Sequence, residues 1–119
     1  MSERLRVAIV DPSPQVRDAI ASLIEGEADI VARVGSLREL FSLRDGDADV
    51  AIADFGACSG ARRADLEALR RRCPHLRFIL TTVEEEQEYE DAVASLSGDA
   101  WVPKSHLGRE LTEVLRRMA

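Results

Sequence analysis

Asp11, Asp54, Thr82 and Lys104 each stand where a short apolar run ends, and their side chains together suit phosphoryl chemistry. Asp11 follows Val7-Ala8-Ile9-Val10, Asp54 follows Val50-Ala51-Ile52-Ala53, Thr82 follows Phe78-Ile79-Leu80-Thr81, and Lys104 follows Trp101-Val102-Pro103. A carboxylate can act as a nucleophile toward phosphorus and form an aspartyl phosphate. Two carboxylates brought together, here Asp11 and Asp54, can hold a hard cation such as Mg²⁺, which takes oxygen ligands and keeps several waters. Phosphoryl transfer rests on positioning and charge neutralisation, so a cation, a lysine and a hydroxyl about one aspartate are a sufficient set. Lys104 would pair with phosphate oxygens and Thr82 would donate a hydrogen bond to one. The plainer alternative is that Asp54 caps the sheet edge in a salt bridge with Lys104.

Such a cluster needs strands that end side by side. Leu5 to Val10 reads as a buried strand; Ser13 can cap a helix with Pro14 at its first position. Val16, Ala19, Ile20, Leu23 and Ile24 form one apolar stripe, and Gly26 is a terminator. A short strand spans Ile30 to Val34. Ser36 and Glu39 make a capping-box pattern for a helix that buries Leu37, Leu40 and Phe41 and ends at Asp45-Gly46-Asp47. After the Asp54 strand, Phe55 to Gly60 reads as a small, flexible loop, followed by a helix marked by Leu66, Leu69 and Cys73 and stopped by Pro74. Phe78 to Thr82 is the fourth strand. Glu84-Glu85-Glu86 opens a helix carrying Tyr89, Ala92, Val93 and Leu96, where acidic side chains suit the positive dipole end. Ala100 to Pro103 is the fifth strand, and Ser105 caps a last helix with Leu107, Leu111, Val114, Leu115 and Met118 on one face.

Strand and helix alternate five times, which implies an α/β fold with a five-stranded parallel sheet covered on both faces. Right-handed crossovers favour the doubly wound, flavodoxin-like order 2-1-3-4-5, whose switch point lies between strands one and three. Asp11 and Asp54 then flank the crevice where such sheets bind ligands.

The 119 residues suit one domain, residues 1 to 119, with 45% hydrophobic and 32% charged residues in the ordinary globular range. No apolar run approaches the roughly 20 residues of a membrane helix, and the charged start lacks a secretory signal, which favours the cytoplasm. The net charge of -6 argues against direct nucleic-acid binding, since a phosphate backbone calls for a basic surface; Arg70-Arg71-Arg72 reads as a solvated helix end. Cys58 and Cys73 lack the paired spacing of a disulfide framework or zinc site. His75 and His106 read as solvated histidines.

The segments VAIVDPSPQVRDAIASLI, DVAIADFG, RFILTT and AWVPKS, with spacings of 43, 28 and 22 residues between the four site positions, resemble two-component response-regulator receiver domains over essentially the whole chain. The WVPKS string is most similar to receivers that precede helix-turn-helix output domains. The resemblance implies that Asp54 is the phosphoacceptor, Thr82 the switch hydroxyl, Lys104 the phosphate-contacting lysine and Trp101 the switch aromatic, with Mg²⁺ at Asp11 and Asp54. It further implies a histidine kinase or small phosphodonor, a downstream protein partner or DNA-binding output domain, a homodimer, and no enzymatic activity beyond autocatalysed phosphoryl transfer onto Asp54.

Two departures stand out. Receivers usually carry two acidic residues after the first strand, and here the pair is Asp11-Pro12, so one carboxylate ligand is missing and Mg²⁺ should bind weakly or not at all. The loop after Asp54 is also rewritten and lacks the usual Met-Pro. Two readings follow: a phosphorylatable receiver that switches the face around the last two helices and the fifth strand, or a phosphate-independent pseudo-receiver used for binding or dimerisation. In the second, Glu84 to Asp91 would offer an acidic patch beside Tyr89 and Trp101. A nucleotide-binding enzyme fits poorly, because no glycine-rich phosphate loop occurs.

Overall fold

In the computed structural model, residues 4–83, 94 and 98–118 are described. Five parallel strands, β1 (Leu5–Val10), β2 (Ala28–Val34), β3 (Val50–Asp54), β4 (Arg77–Thr82) and β5 (Ala100–Pro103), form one sheet. Their order is β2-β1-β3-β4-β5, the doubly wound order expected from the strand and helix alternation. Around them lie α1 (Pro14–Ile24), α2 (Phe55–Cys58), α3 (Arg63–Arg72) and α4 (Leu107–Arg117).

Every residue of the central run Val50 to Ala53 is buried, because alternate side chains feed two separate cores. Val50 and Ile52 join Val7, Ile9 and Ile79 beneath Ile20 and Ile24 of α1 and Leu111 and Leu115 of α4. Ala51 and Ala53 join Val10, Phe78 and Leu80 against Leu37, Leu40, Leu66 and Leu69. The small alanines on this second face let the short segments that cover it approach the sheet closely. On the first face Arg116 of α4 bonds to Glu27 just beyond α1, fastening the two helices.

The ladder between β1 and β2 is interrupted: Val7 pairs with Ile30 but Ala8 pairs with Ala32. Val31 is skipped and stands 42% exposed, a bulge of the kind found at sheet edges.

Several expectations are corrected. The Ser36–Glu39 capping box forms, but it starts a single 3-10 turn, Leu37–Leu40, rather than a helix reaching Asp45. Phe55 to Gly60 is no flexible loop; it holds α2 and runs into a 3-10 turn at Gly60–Arg62. Gly60 supplies the positive φ of 59° that this turn requires. Ser105 does not cap the last helix, which begins after a 3-10 turn over Lys104–His106 with His106 in the N-cap position. α1 stops where Gly26 is expected to stop it, with Glu25 as the C-cap, although Gly26 does so without the positive φ of a left-handed cap. Arg70 is not a freely solvated helix end: its guanidinium lies 4.5 Å above the Phe78 ring, a cation–π contact. Ser13 and Pro14 do start α1 as expected. The helix over Tyr89 to Leu96, the Glu84–Glu86 cap and the acidic patch lie outside the described residues. Among the described residues no helix is long and apolar enough to cross a membrane.

Candidate functional site

The C-terminal ends of β1, β3, β4 and β5 converge at one end of the sheet. Asp11 follows β1 and is 1% exposed. Its backbone N–H continues the ladder to the Val34 carbonyl at 3.0 Å. Its Oδ1 accepts from the Ser13 N–H at 2.8 Å, closing an Asx turn over Pro12. The Asp11 carbonyl in turn accepts from Arg17 Nη1 of α1 at 2.6 Å. Asp11 is therefore fixed from three sides.

Asp54 closes β3 and occupies the N-cap position of α2 without bonding to its backbone. Its carboxylate instead meets Lys104, whose Nζ donates to Oδ1 at 2.9 Å. The same Nζ stands 2.8 Å from Asp11 Oδ2. That second contact is one of charge, with no aligned hydrogen bond reaching the buried Asp11 Oδ2. The salt bridge between Lys104 and Asp54 thus forms, and Asp11 joins it. Burial of the ammonium works to lower the Lys104 pKa, but its close contacts with the Asp11 and Asp54 carboxylates outweigh it and hold the lysine above its ordinary value.

Lys104 is delivered by β5, whose start is tied to β4 by reciprocal bonds: the Phe78 N–H donates to Asp99 Oδ2 at 2.7 Å and the Asp99 N–H to the Phe78 carbonyl at 2.9 Å. Thr82 is buried at the end of β4 and pairs in register with Pro103. Asp54 pairs with its neighbour Thr81. The structure therefore brings Asp11, Asp54 and Lys104 into direct contact and sets Thr82 one residue beyond. Trp101 is half-buried, packed against the second core.

On the other side of Asp54 a cleft of about 320 Å³ opens between Pro12, Ser36, Leu37, Gly56 and Arg62. Gly56 lies against the carboxylate: a Cβ there would stand 3.1 Å from Asp54 Oδ2, tight enough that the side chain would have to shift by a few tenths of an ångström. The carboxylate oxygen not bonded to Lys104 thus faces a surface kept bare. Sequence reasoning missed Arg62; nothing in an Arg62-Arg63 pair marks the one that turns toward the cleft. A wider groove of about 490 Å³, lined by Trp101, Glu110, Val114 and Arg117, lies between β5 and α4 and contains none of the site carboxylates.

The donor set does not fit a tight Mg²⁺ centre. Pro12 offers no side-chain oxygen, an ammonium already spans the two carboxylates, and among the described residues no group of three or more His, Cys, Asp or Glu is arranged to hold a metal. Mg²⁺ demands near-octahedral oxygen coordination, and two lysine-bridged carboxylates supply only a fraction of it.

No protein-family model and no curated protein matches the sequence. Solved structures do. The chain superposes on Salmonella typhimurium RcsB, a response regulator described for its DNA interaction, with a TM-score of 0.81 and 22% identity over 98% of this chain. It spans 60% of that regulator's length. A chain from the complex of the CheA3 P1 domain with CheY6 of R. sphaeroides gives a TM-score of 0.82 at 19% identity, covering 98% of both chains. The apo receiver domain of RcsB from Salmonella enterica serovar Typhimurium gives 0.80 at 24% identity, covering 95% of this chain and 86% of that one. Sheet order, strand-end carboxylates and these superpositions together establish that the chain has the fold of response-regulator receiver domains.

Proposed function

We propose that this chain is an atypical signal-transduction receiver in which Asp54 accepts a phosphoryl group. The observation that carries the reading is the Lys104 ammonium held between Asp11 and Asp54 at the switch point of a doubly wound sheet. Asp54 Oδ2 attacks the phosphorus of an acyl phosphate or a phosphohistidine; the new P–O bond forms as the bond to the leaving group breaks, and the leaving group departs with that electron pair. Lys104 neutralises charge on the transferred group, and Thr82 meets one of its oxygens. Engagement of Thr82 then shifts Trp101 and the β5–α4 face, a local charge event biasing a two-state element. The donor is a histidine kinase or a small phosphodonor, as the complex of a CheA3 domain with CheY6 illustrates for another chain. The output is a protein partner or a DNA-binding domain, in keeping with the DNA interaction described for the RcsB response regulator, and the setting is the cytoplasm, with homodimerisation on the same face.

Mg²⁺ binds weakly in this reading, since it must displace Lys104 to reach both carboxylates. Pro12→Asp restores a third carboxylate and should raise Mg²⁺ affinity; unchanged affinity in a calorimetric titration would count against this account of the pocket. A second reading, a phosphate-independent binding or dimerisation module, is favoured by the same ion bridge, because Lys104 already balances the pocket with no phosphoryl group present. Incubation with acetyl phosphate or beryllium fluoride, with and without Mg²⁺, separates the two. A phosphoryl mass gain that Asp54→Asn abolishes, with a change in Trp101 fluorescence, supports the receiver. Absence of both removes phosphorylation and leaves the binding module.

A further inference from the structure

We propose that the cleft beside Asp54 is a non-covalent binding site for a small oxyanion, a phosphate or a phosphomonoester, anchored by Arg62 and independent of any divalent cation. The inference follows from the charges around the rim. Asp54 is engaged by Lys104. Asp65 is engaged by Arg38 Nε at 3.2 Å. Glu39 accepts from the N–H groups of Gly35 and Ser36, both at 2.9 Å, and from the Ser36 hydroxyl. Arg17 is committed to the Asp11 carbonyl. Arg62 lines the cleft, yet among the described residues its side chain makes no hydrogen bond or ion pair. Each of these acids has an ionic or hydrogen-bonding partner, whereas the Arg62 guanidinium has none among the described residues and keeps its donors for a ligand.

Arg62 is held at the rim by backbone, not by its own contacts. The left-handed Gly60 turns the chain back, and the Arg62 N–H closes that turn on the Ser59 carbonyl at 3.0 Å. The guanidinium is a fork of donors shaped for phosphate oxygens. The cleft is also lined by the apolar Pro12, Leu37 and Ala57, which bring no further negative charge beside the guanidinium. The volume of about 320 Å³ lies at the low end of small-ligand pockets, which suits phosphate or a compact phosphomonoester rather than a nucleotide. Pro12 has a consequence here beyond the absent metal ligand: with a second carboxylate at that position the cleft would repel the anion that Arg62 attracts.

The test is a ¹H–¹⁵N titration of the full chain with inorganic phosphate at constant ionic strength in EDTA. Saturable shifts at Gly35, Gly56, Ala57 and Arg62 are expected, weakening with added salt. Arg62→Gln should weaken binding roughly tenfold, the effect of losing a charged hydrogen-bond donor, while Arg71→Gln on the exposed side of α3 should not. Asp54→Asn cannot be phosphorylated and removes a carboxylate from the cleft, so it should bind phosphate at least as tightly. Binding by that variant stands whether or not Asp54 is a phosphoacceptor. Shifts confined to other residues, an unchanged affinity in a folded Arg62→Gln, or a requirement for Mg²⁺ would overturn the proposal.

Discussion

Replacing Lys104 with methionine keeps an unbranched, flexible side chain one atom shorter and deletes its charge. The ammonium stands 2.8 Å from Asp11 Oδ2 and 2.9 Å from Asp54 Oδ1, so the two oxygens are less than about 6 Å apart. Two unit charges at ~5 Å in an effective dielectric of ~20 repel by about 3 kcal/mol. Breaking a fully buried ion pair costs about 3–5 kcal/mol, but the Lys104 and Asp54 side chains are 23% and 13% exposed, so water moderates the loss. We therefore expect Lys104→Met to destabilise the fold by about 3 kcal/mol at neutral pH. Urea unfolding followed by circular dichroism measures it. The decisive control is the Asp11→Asn background, in which no like-charged pair remains and the same lysine substitution should cost under about 1 kcal/mol. A loss below 1 kcal/mol in the wild-type background, or an equal loss in both, would refute the idea that Lys104 holds two repelling carboxylates together.

Four further outcomes are expected. Among the described residues the buried Thr81 Oγ1 has no hydrogen-bond partner, and an unsatisfied buried hydroxyl is costly; Thr81→Val should raise stability by about 1 kcal/mol, read from the urea midpoint. Burial, reinforced by the charge of Asp54, pushes the Cys58 thiol up to about 12, and burial also raises Cys73. An aromatic disulfide reagent at mildly alkaline pH should label neither thiol in the folded chain and both in urea. Because the folded chain keeps a Cys58 proton that the unfolded chain sheds above its ordinary pKa, stability should fall as pH rises through that interval, measurable by urea melts across it. His75 is raised by its hydrogen bond to Asp45 and then by that carboxylate's charge, while Asp45 is lowered. The histidine's contribution is complete below its ordinary pKa and fades as pH rises through the raised one; the aspartate's is complete above its ordinary pKa and fades as pH falls. Asp45→Asn should return the His75 titration, followed by NMR, toward the ordinary value.

Much of this site is legible in the chain because parallel strands buried on both faces leave unbroken apolar runs, and the residues that end those runs meet at one edge. The limits of β1 and β5 follow from that, and the strand order from the alternation with helices and the right-handed crossovers it demands. What escapes is local. Ser36 and Glu39 encode the start of a helix but not its length, and propagation needs more turns than the stretch before Asp45-Gly46 sustains. Small residues after Asp54 read as a loop because glycine and serine have low helix propensity, yet four residues there close a helical turn. The double engagement of Lys104 depends on where β1 and β3 end relative to β5, a three-dimensional relation. Asp11-Pro12-Ser13 did hold a readable signal, an aspartate two residues before the N–H it accepts.

The skipped Val31 bears on how the molecule behaves in a crowd. An outermost strand with an even row of free backbone groups invites a strand from another chain to add to it, and repetition of that event builds fibres. Here the row on β2 is broken into Ala28–Ile30 and Ala32–Val34 by a residue outside the ladder, with Asp29 and Arg33 among the outward positions on either side. An incoming strand would have to follow the local bend and added twist that the extra residue puts into β2, with charged side chains beside it. A single extra residue in β2 thus acts as a guard against polymerisation along the sheet.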